Sequence, residues 1–297
     1  MRVGGRAEWL LEPASPAELR AAWLAALERG STPRILGGGA NLLIEDGLHA
    51  GVVITTDRMA RVFRPGGQHT PEDDARQRAS GEAREPVLVA WAGAGMPGLC
   101  RTARDLGLAG LAGIVGIPGN LGGGVAMNAG GRWGELWDVV ESVHVLTPEG
   151  EELELPRAEC TPRYRDGGLG DRIVLGAVLR LAPGDPAAIR AEMQDYLAQK
   201  SAAQPVQEHS SGCIFQNPDR ELSGGRTAGQ LVEQCGGKGL SRGDALVSPK
   251  HGNFIVNRGA ARAADVLALI EDVRRLVLDQ TGIELRTEVK VWRRPGS

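Results

Sequence analysis

The sequence predicts an α+β chain built in two parts. Three observations carry that prediction. In the first 180 or so residues, apolar runs of strand length alternate irregularly with glycine clusters. Helix start signals stand at Ser15-Pro16 and Asp185-Pro186, and a helical apolar stripe runs from Val266 to Val277. The texture changes after the helix expected from Pro186, and a boundary is placed near Pro183–Pro186, dividing the chain into residues 1–183 and 184–297.

The elements follow in order. Ser15-Pro16-Ala17-Glu18 is a capping box with proline at the first helical position, so a helix should run to about Arg29 and stop at Gly30. RILGGGANLLIED and GVVITT are short apolar runs broken by glycine. Pro65 to Glu85 is polar and charged and reads as a loop. PVLVAWAG reads as a buried strand and LCRTARDLG as a short helix. VVESVHVLT and IVLGAVLRLA are strands separated by a polar loop containing RYRDGG. Asp185 caps a helix from Pro186 to about Gln199. SSGCIFQNP is a strand with turn signals, TAGQLVEQCGG a short helix ending in glycine, and GNFIVN a strand. Val266, Ile270, Val273 and Val277 mark one face of a long helix, and VKVW closes the chain as a strand.

Composition narrows the function classes. A formal charge of -3 leaves no basic footprint for nucleic acid. Cys100, Cys160, Cys213 and Cys235 form no CxxC pair and no dense framework, which fits a reducing compartment, and no metal site is expected. No apolar run reaches membrane-spanning length, and MRVGGRAEWLLEP lacks the pattern of a secretory signal. A soluble cytoplasmic protein is therefore expected. The 43 glycines are about twice the ordinary share, which points to tight turns or close backbone approach to a ligand.

GAGMPG, Gly93 to Gly98, matches a dinucleotide fingerprint between a strand and a helix. That reading fails, because the fingerprint wants an acidic residue about 20 positions on, and no Asp or Glu lies between Asp105 and Glu135. Two other clusters remain: Gly37-Gly38-Gly39-Ala40-Asn41, and Gly116-Ile117-Pro118-Gly119-Asn120-Leu121-Gly122-Gly123-Gly124. Consecutive backbone N–H groups in such runs can cradle a pyrophosphate without a charged side chain. Tight turns in a compact sheet domain would account for the same spacing.

LGGGANLLI, AGIVGIPGNLGGGVAMNAGG, RYRDGGL, SSGCIFQNP, AGQLVEQCGGKG, VSPKHGNFIVN and GIELRTEVKVW stand in the order seen in UDP-N-acetylenolpyruvoylglucosamine reductases, and the chain resembles that family over nearly its whole length. The resemblance implies an FAD-binding fold of the vanillyl-alcohol-oxidase type, as two α+β lobes, over residues 1–183. A smaller α/β substrate-binding domain over 184–297 would follow, its C-terminal strand returning to the active site. It is similar to the shorter of the two family types, since only residues 166–212 separate Arg165 from Cys213. The implied reaction reduces an enolpyruvyl ether on a UDP-linked amino sugar to a lactyl ether. NADPH would be the hydride donor and bound FAD the carrier, in the synthesis of a peptidoglycan precursor, and a monomer is expected. Gly37, Gly38, Gly39, Ala40, Asn41, Leu42, Gly116, Ile117, Pro118, Gly119, Gly122 and Gly123 would hold the flavin.

The same resemblance implies the catalytic set. Arg165 takes the place of the family's active-site arginine, and a guanidinium can clamp a carboxylate in two places. Glu288 matches the C-terminal glutamate, expected to act with Arg165 on the enolate, and it would help most if protonated. Cys213 departs from the usual serine, whose hydroxyl protonates the carbanionic carbon. A thiol gives up its proton more easily than an alcohol, so the replacement is chemically sound. Tyr164, Gln216, Asn217, Lys250 and His251 are the implied substrate contacts. Gln216 replaces a lysine, which Lys250 and His251 could offset, though His251 fits a structural histidine equally well. Gly167 replaces a serine, and Ala40 the serine of the usual flavin motif. Two other readings stay open: another flavin-dependent oxidoreductase of this fold, or a flavin binder with a dead site.

Overall fold

The computed structural model describes residues 1–65 and 85–294, so the polar loop expected from Pro65 to Glu85 lies, but for its two ends, outside the described residues. The chain divides into two compact units: Met1–Trp9, Gly39–Gly51 and Ala198–Ser297 form one, and Leu10–Gly38 with Val52–Leu197 form the other. These units are drawn differently from the division expected at 183/184, because N-terminal segments join the C-terminal part by strand pairing and helix capping.

The larger unit is organised on a five-stranded sheet. Its order is Glu152–Pro156, Val140–Leu146, Ile173–Arg180, Val87–Trp91 and Val62–Phe63. Every pairing in it is antiparallel. A dinucleotide fingerprint needs a parallel sheet, so the topology agrees with rejecting GAGMPG. Of its three glycines, Gly93 serves packing instead. A Cβ on Gly93 would lie 1.8 Å from the Thr56 carbonyl oxygen.

Helix Met96–Asp105 lays Met96, Leu99, Cys100 and Ala103 against this sheet's core, with Leu88, Val143 and Leu179. Helix Pro16–Leu27 starts where the capping box predicts, but the box is modified. Ser15 Oγ accepts from the Glu18 N–H at 3.2 Å, while the Glu18 carboxylate accepts from the Ala14 N–H at 2.9 Å, one residue earlier than a reciprocal box requires. Asp185 caps helix Pro186–Ala203 by accepting from the N–H groups of Ala187 and Ala188. That helix runs four residues beyond Gln199 because no breaker intervenes before Pro205.

The smaller unit carries a four-stranded antiparallel sheet in the order His209–Cys213, Phe254–Asn257, Ala245–Val247 and Ser241–Arg242. Helix Ala263–Thr281 supplies the apolar face that the valine spacing predicts. Val266, Leu269, Ile270, Val273 and Val277 are all buried. Each such side chain contributes roughly 1.5–3 kcal/mol by leaving water. Gly282 ends the helix in the left-handed conformation. Its N-terminus is capped from far away in sequence: the Asp46 carboxylate accepts from the N–H groups of Ala263 and Ala264, each at 3.1 Å. The last strand, Lys290–Trp292, runs parallel to Leu42–Ile44. Those two links place 39–51 in this unit.

Candidate active site

In the smaller unit, three distant stretches of sequence meet at Glu288. Its N–H donates to the Ile214 carbonyl at 2.7 Å, and its own carbonyl accepts from the Asn41 Nδ2 at 3.1 Å. The Lys290 N–H returns a bond to the Asn41 carbonyl at 3.1 Å. Phe215 faces Thr287 in an antiparallel bridge, and the Gln216 N–H donates to the Arg286 carbonyl. The backbone of Glu288 is therefore held between the residue that follows Cys213 and the asparagine of the first glycine cluster. Glu288 is buried and Cys213 half-buried. Leu42 begins the strand that pairs with the C-terminal one.

A residue that the sequence did not single out fixes the stretch bearing Cys213. The carboxamide of buried Asn253 grips the Phe215 backbone twice: Oδ1 accepts from the Phe215 N–H and Nδ2 donates to its carbonyl, both at 2.8 Å. The Ile214 N–H donates to the Asn253 carbonyl. At Gly212, φ is +77°, and the register between the two strands shifts between Ser210 and Cys213. This bulge re-aims Cys213 relative to the regular ladder, which is a common use of bulges near reactive groups.

The remaining substrate candidates on this unit have local roles. The ring of His251 accepts through Nδ1 from the Asn253 N–H at 3.1 Å, and burial pushes its pKa down. Lys250 Nζ donates to the Ser201 carbonyl. The Asn217 side-chain oxygen accepts from the Ala228 N–H at 3.1 Å, at the start of helix Ala228–Gln234.

Arg165 and Tyr164 belong to the larger unit and form the tip of a tight turn. Arg163 and Asp166 exchange both backbone hydrogen bonds, and Arg165 takes a left-handed backbone with φ +59°. Its guanidinium lies 4.8 Å from the Tyr164 ring centroid, and Nη1 donates to the Gly130 carbonyl at 3.2 Å. Half of the Tyr164 surface is exposed. Gly167 lies so close to the helix Leu121–Ala126 that a Cβ would sit 2.3 Å from the Val125 carbonyl oxygen. Its glycine is thus a packing requirement of this chain.

Gly37, Gly38 and the second glycine cluster, which lie in the same unit, fit a phosphate-bearing cofactor. A Cβ on Gly38 would lie 2.9 Å from both the Gly119 Cα and the Asn120 Oδ1, so the two clusters approach through bare backbone. Gly116 and Gly119 hold positive φ on either side of Ile117-Pro118. Among the described residues, the N–H groups of Gly37, Gly38 and Gly123 donate to no protein acceptor. The buried Thr56 Oγ1 also lacks a partner, 4.0 Å from where a Gly37 Cβ would stand. Unclaimed N–H groups and an orphaned hydroxyl are what a diphosphate would satisfy. Gly122 is a packing glycine, with its would-be Cβ 2.9 Å from the Ala92 side chain.

Comparison with known proteins gives two family-model matches. The model for an FAD binding domain matches residues 7–156, and that for the UDP-N-acetylenolpyruvoylglucosamine reductase C-terminal domain matches 204–292. A UDP-N-acetylenolpyruvoylglucosamine reductase of Methylorubrum extorquens (strain PA1) is 39% identical over 292 residues, spanning 97% of this chain and 86% of the relative. One from Sphingopyxis alaskensis is 38% identical, over 97% of this chain and 89% of its own length. A crystal structure of UDP-N-acetylenolpyruvylglucosamine reductase from Thermus caldophilus superimposes with a TM-score of 0.77 at 34% identity, covering 98% of this chain and 94% of that one.

Proposed function

Since the chain belongs to the UDP-N-acetylenolpyruvoylglucosamine reductase family, we propose that Arg165, Cys213 and Glu288 carry its reaction, the FAD-dependent reduction of UDP-N-acetylglucosamine enolpyruvate to UDP-N-acetylmuramate for peptidoglycan. Bound FAD supplies the hydride, which it receives from NADPH. Gly37, Gly38 and the stretch 116–123 would hold the flavin phosphates through backbone N–H groups, with Thr56 Oγ1 as a side-chain partner. Ala40 in place of serine costs this cradle little, because the N–H groups do the binding.

The observation that best supports the catalytic assignment is the double tether of the Glu288 backbone, to Ile214 beside the thiol and to Asn41 of the glycine cluster. Hydride addition at the terminal carbon leaves negative charge spread from the adjacent carbon into the substrate carboxylate. Arg165 would clamp that carboxylate with two N–H groups, and Glu288 would act beside it on the developing enolate. The Cys213 thiol would transfer its proton to the adjacent carbon, and the resulting thiolate would be reprotonated from solvent. Tyr164, Gln216, Asn217, Lys250 and His251 line our assignment of the sugar-nucleotide site. On this reading residues 1–183 serve the flavin and 184–297 the substrate, in a cytoplasmic monomer. No described helix is long and apolar enough to cross a membrane.

An anaerobic two-step experiment tests the assignment. NADPH should bleach the bound flavin of both wild type and Cys213→Ala. The enolpyruvyl sugar nucleotide should then restore colour about 10²–10⁴ times more slowly in the variant. Reoxidation at the wild-type rate in Cys213→Ala would remove the thiol from the chemistry.

A further inference from the structure

From the contacts beneath the Arg165 turn, we infer that Asn128 is a positioning residue that sets the place of the Arg165 guanidinium, an inference that rests on the catalytic reading of Arg165. Among the described residues, three non-glycine residues hold a left-handed backbone: Arg2, Asn128 and Arg165. Two of these three meet here. Asn128 (φ +43°) is buried, and its Nδ2 donates to the Arg163 carbonyl at 3.1 Å, one residue before the turn tip. The same nitrogen donates to the Glu135 Oε2 at 2.7 Å. Glu135 is itself fixed, because its N–H donates to Asp138 Oδ2 at 2.7 Å and its carboxylate accepts from the Asp138 backbone.

The turn is thus held at three points along one short segment. Gly167 N–H donates to Ala126 O at 2.9 Å, Asn128 Nδ2 reaches Arg163 O, and Arg165 Nη1 reaches Gly130 O. The outer two bonds join backbone to backbone and the guanidinium to backbone. The middle one alone depends on the side chain of a residue in the 126–130 segment. Asn128 has spent both N–H hydrogens, and its Oδ1 is buried without a partner. Leaving that oxygen unpaired is costly, and so is a left-handed asparagine in a packed segment. The two costs together indicate an arrangement kept for the placement of the turn, where strain and function commonly coincide.

Asn128→Gly separates backbone from side chain. Glycine keeps the positive φ without strain and removes both donors. Asn128→Asp keeps the shape and replaces donors with acceptors that face Glu135 and the Arg163 carbonyl. Four readings are needed for each variant, on flavin-loaded protein of checked melting temperature. They are the bleaching rate with NADPH, the reoxidation rate with the enolpyruvyl sugar nucleotide, the dissociation constant of that substrate from its perturbation of the oxidised flavin spectrum, and tryptic cleavage after Arg163 and Arg165, the last also on flavin-free protein.

The expected result is a loss of about ten- to a hundredfold in reoxidation, with bleaching unchanged and faster cleavage at the turn. In an Arg165→Ala background, Asn128→Gly should add almost nothing, because its effect passes through the guanidinium. The inference is overturned if Asn128→Gly reoxidises normally, if both half-reactions slow equally, or if its loss persists undiminished beside Arg165→Ala. Normal reoxidation by Arg165→Ala alone would sink the catalytic reading and this inference with it; an impaired Arg165→Ala beside an intact Asn128→Gly would sink the inference only.

Discussion

His251 accepts a hydrogen bond through Nδ1, so its neutral ring, protonated at Nε2, is the form the fold uses. Burial is the largest cause of its lowered pKa, with Lys238 second. The folded value lies below the unfolded one, so the unfolded chain binds more protons between the two. Stability from this group is therefore complete above the ordinary value of 6.5 and is lost as pH falls through the lower folded value. The melting temperature should fall as the pH is lowered from 6.5 toward the folded value, and His251→Asn, which keeps an acceptor near the same place, should flatten the slope. Calorimetry from pH 7.5 to 5 decides; an equal slope in the variant removes His251 as its source. The ring also holds the Asn253 N–H, and the Asn253 carboxamide holds Phe215. Titration of His251 thus reaches the stretch that bears Cys213.

At the scale of elements, helix Ala263–Thr281 is stapled to a segment more than 200 residues earlier. Arg262 precedes it with no side-chain bond to the first-turn N–H groups that Asp46 satisfies. Two bonds from a carboxylate at a helix N-terminus combine a cap with favourable dipole placement. Asp46→Ala should cost about 1–2 kcal/mol, seen as a lower denaturant midpoint with an unchanged slope, and Asp46→Asn should recover much of it. A midpoint equal to wild type would mean that water replaces the cap. The helix itself was legible from its valine period, because burial of one face imposes that period. Its cap was not, since the donor and acceptor are brought together by the parallel pairing of Leu42–Ile44 with Lys290–Trp292.

At the scale of the whole molecule, the flavin is part of the native state's stability. N–H groups at Gly37, Gly38 and Gly123 and the Thr56 hydroxyl have no protein partner among the described residues, and on our assignment the flavin phosphates take them. Protein stripped of FAD should melt lower, and added FAD should raise the transition progressively. A hundredfold excess over the dissociation constant is worth about 2.7 kcal/mol. A melting temperature indifferent to FAD would contradict the cradle.

Sequence by itself determined the apolar faces, the helix starts at Ser15 and Asp185, and the order of motifs that marks the family. These follow from local periodicity, capping chemistry and residue identity, which need no knowledge of distant contacts. Tertiary structure alone decided that Glu288 is tethered to both Ile214 and Asn41, that Asn253 grips Phe215, and that Asn128 underlies the Arg165 turn. Each is a hydrogen bond between residues far apart in the chain. A buried asparagine carries no periodicity of its own, and its partner is fixed only when packing closes the loop between them.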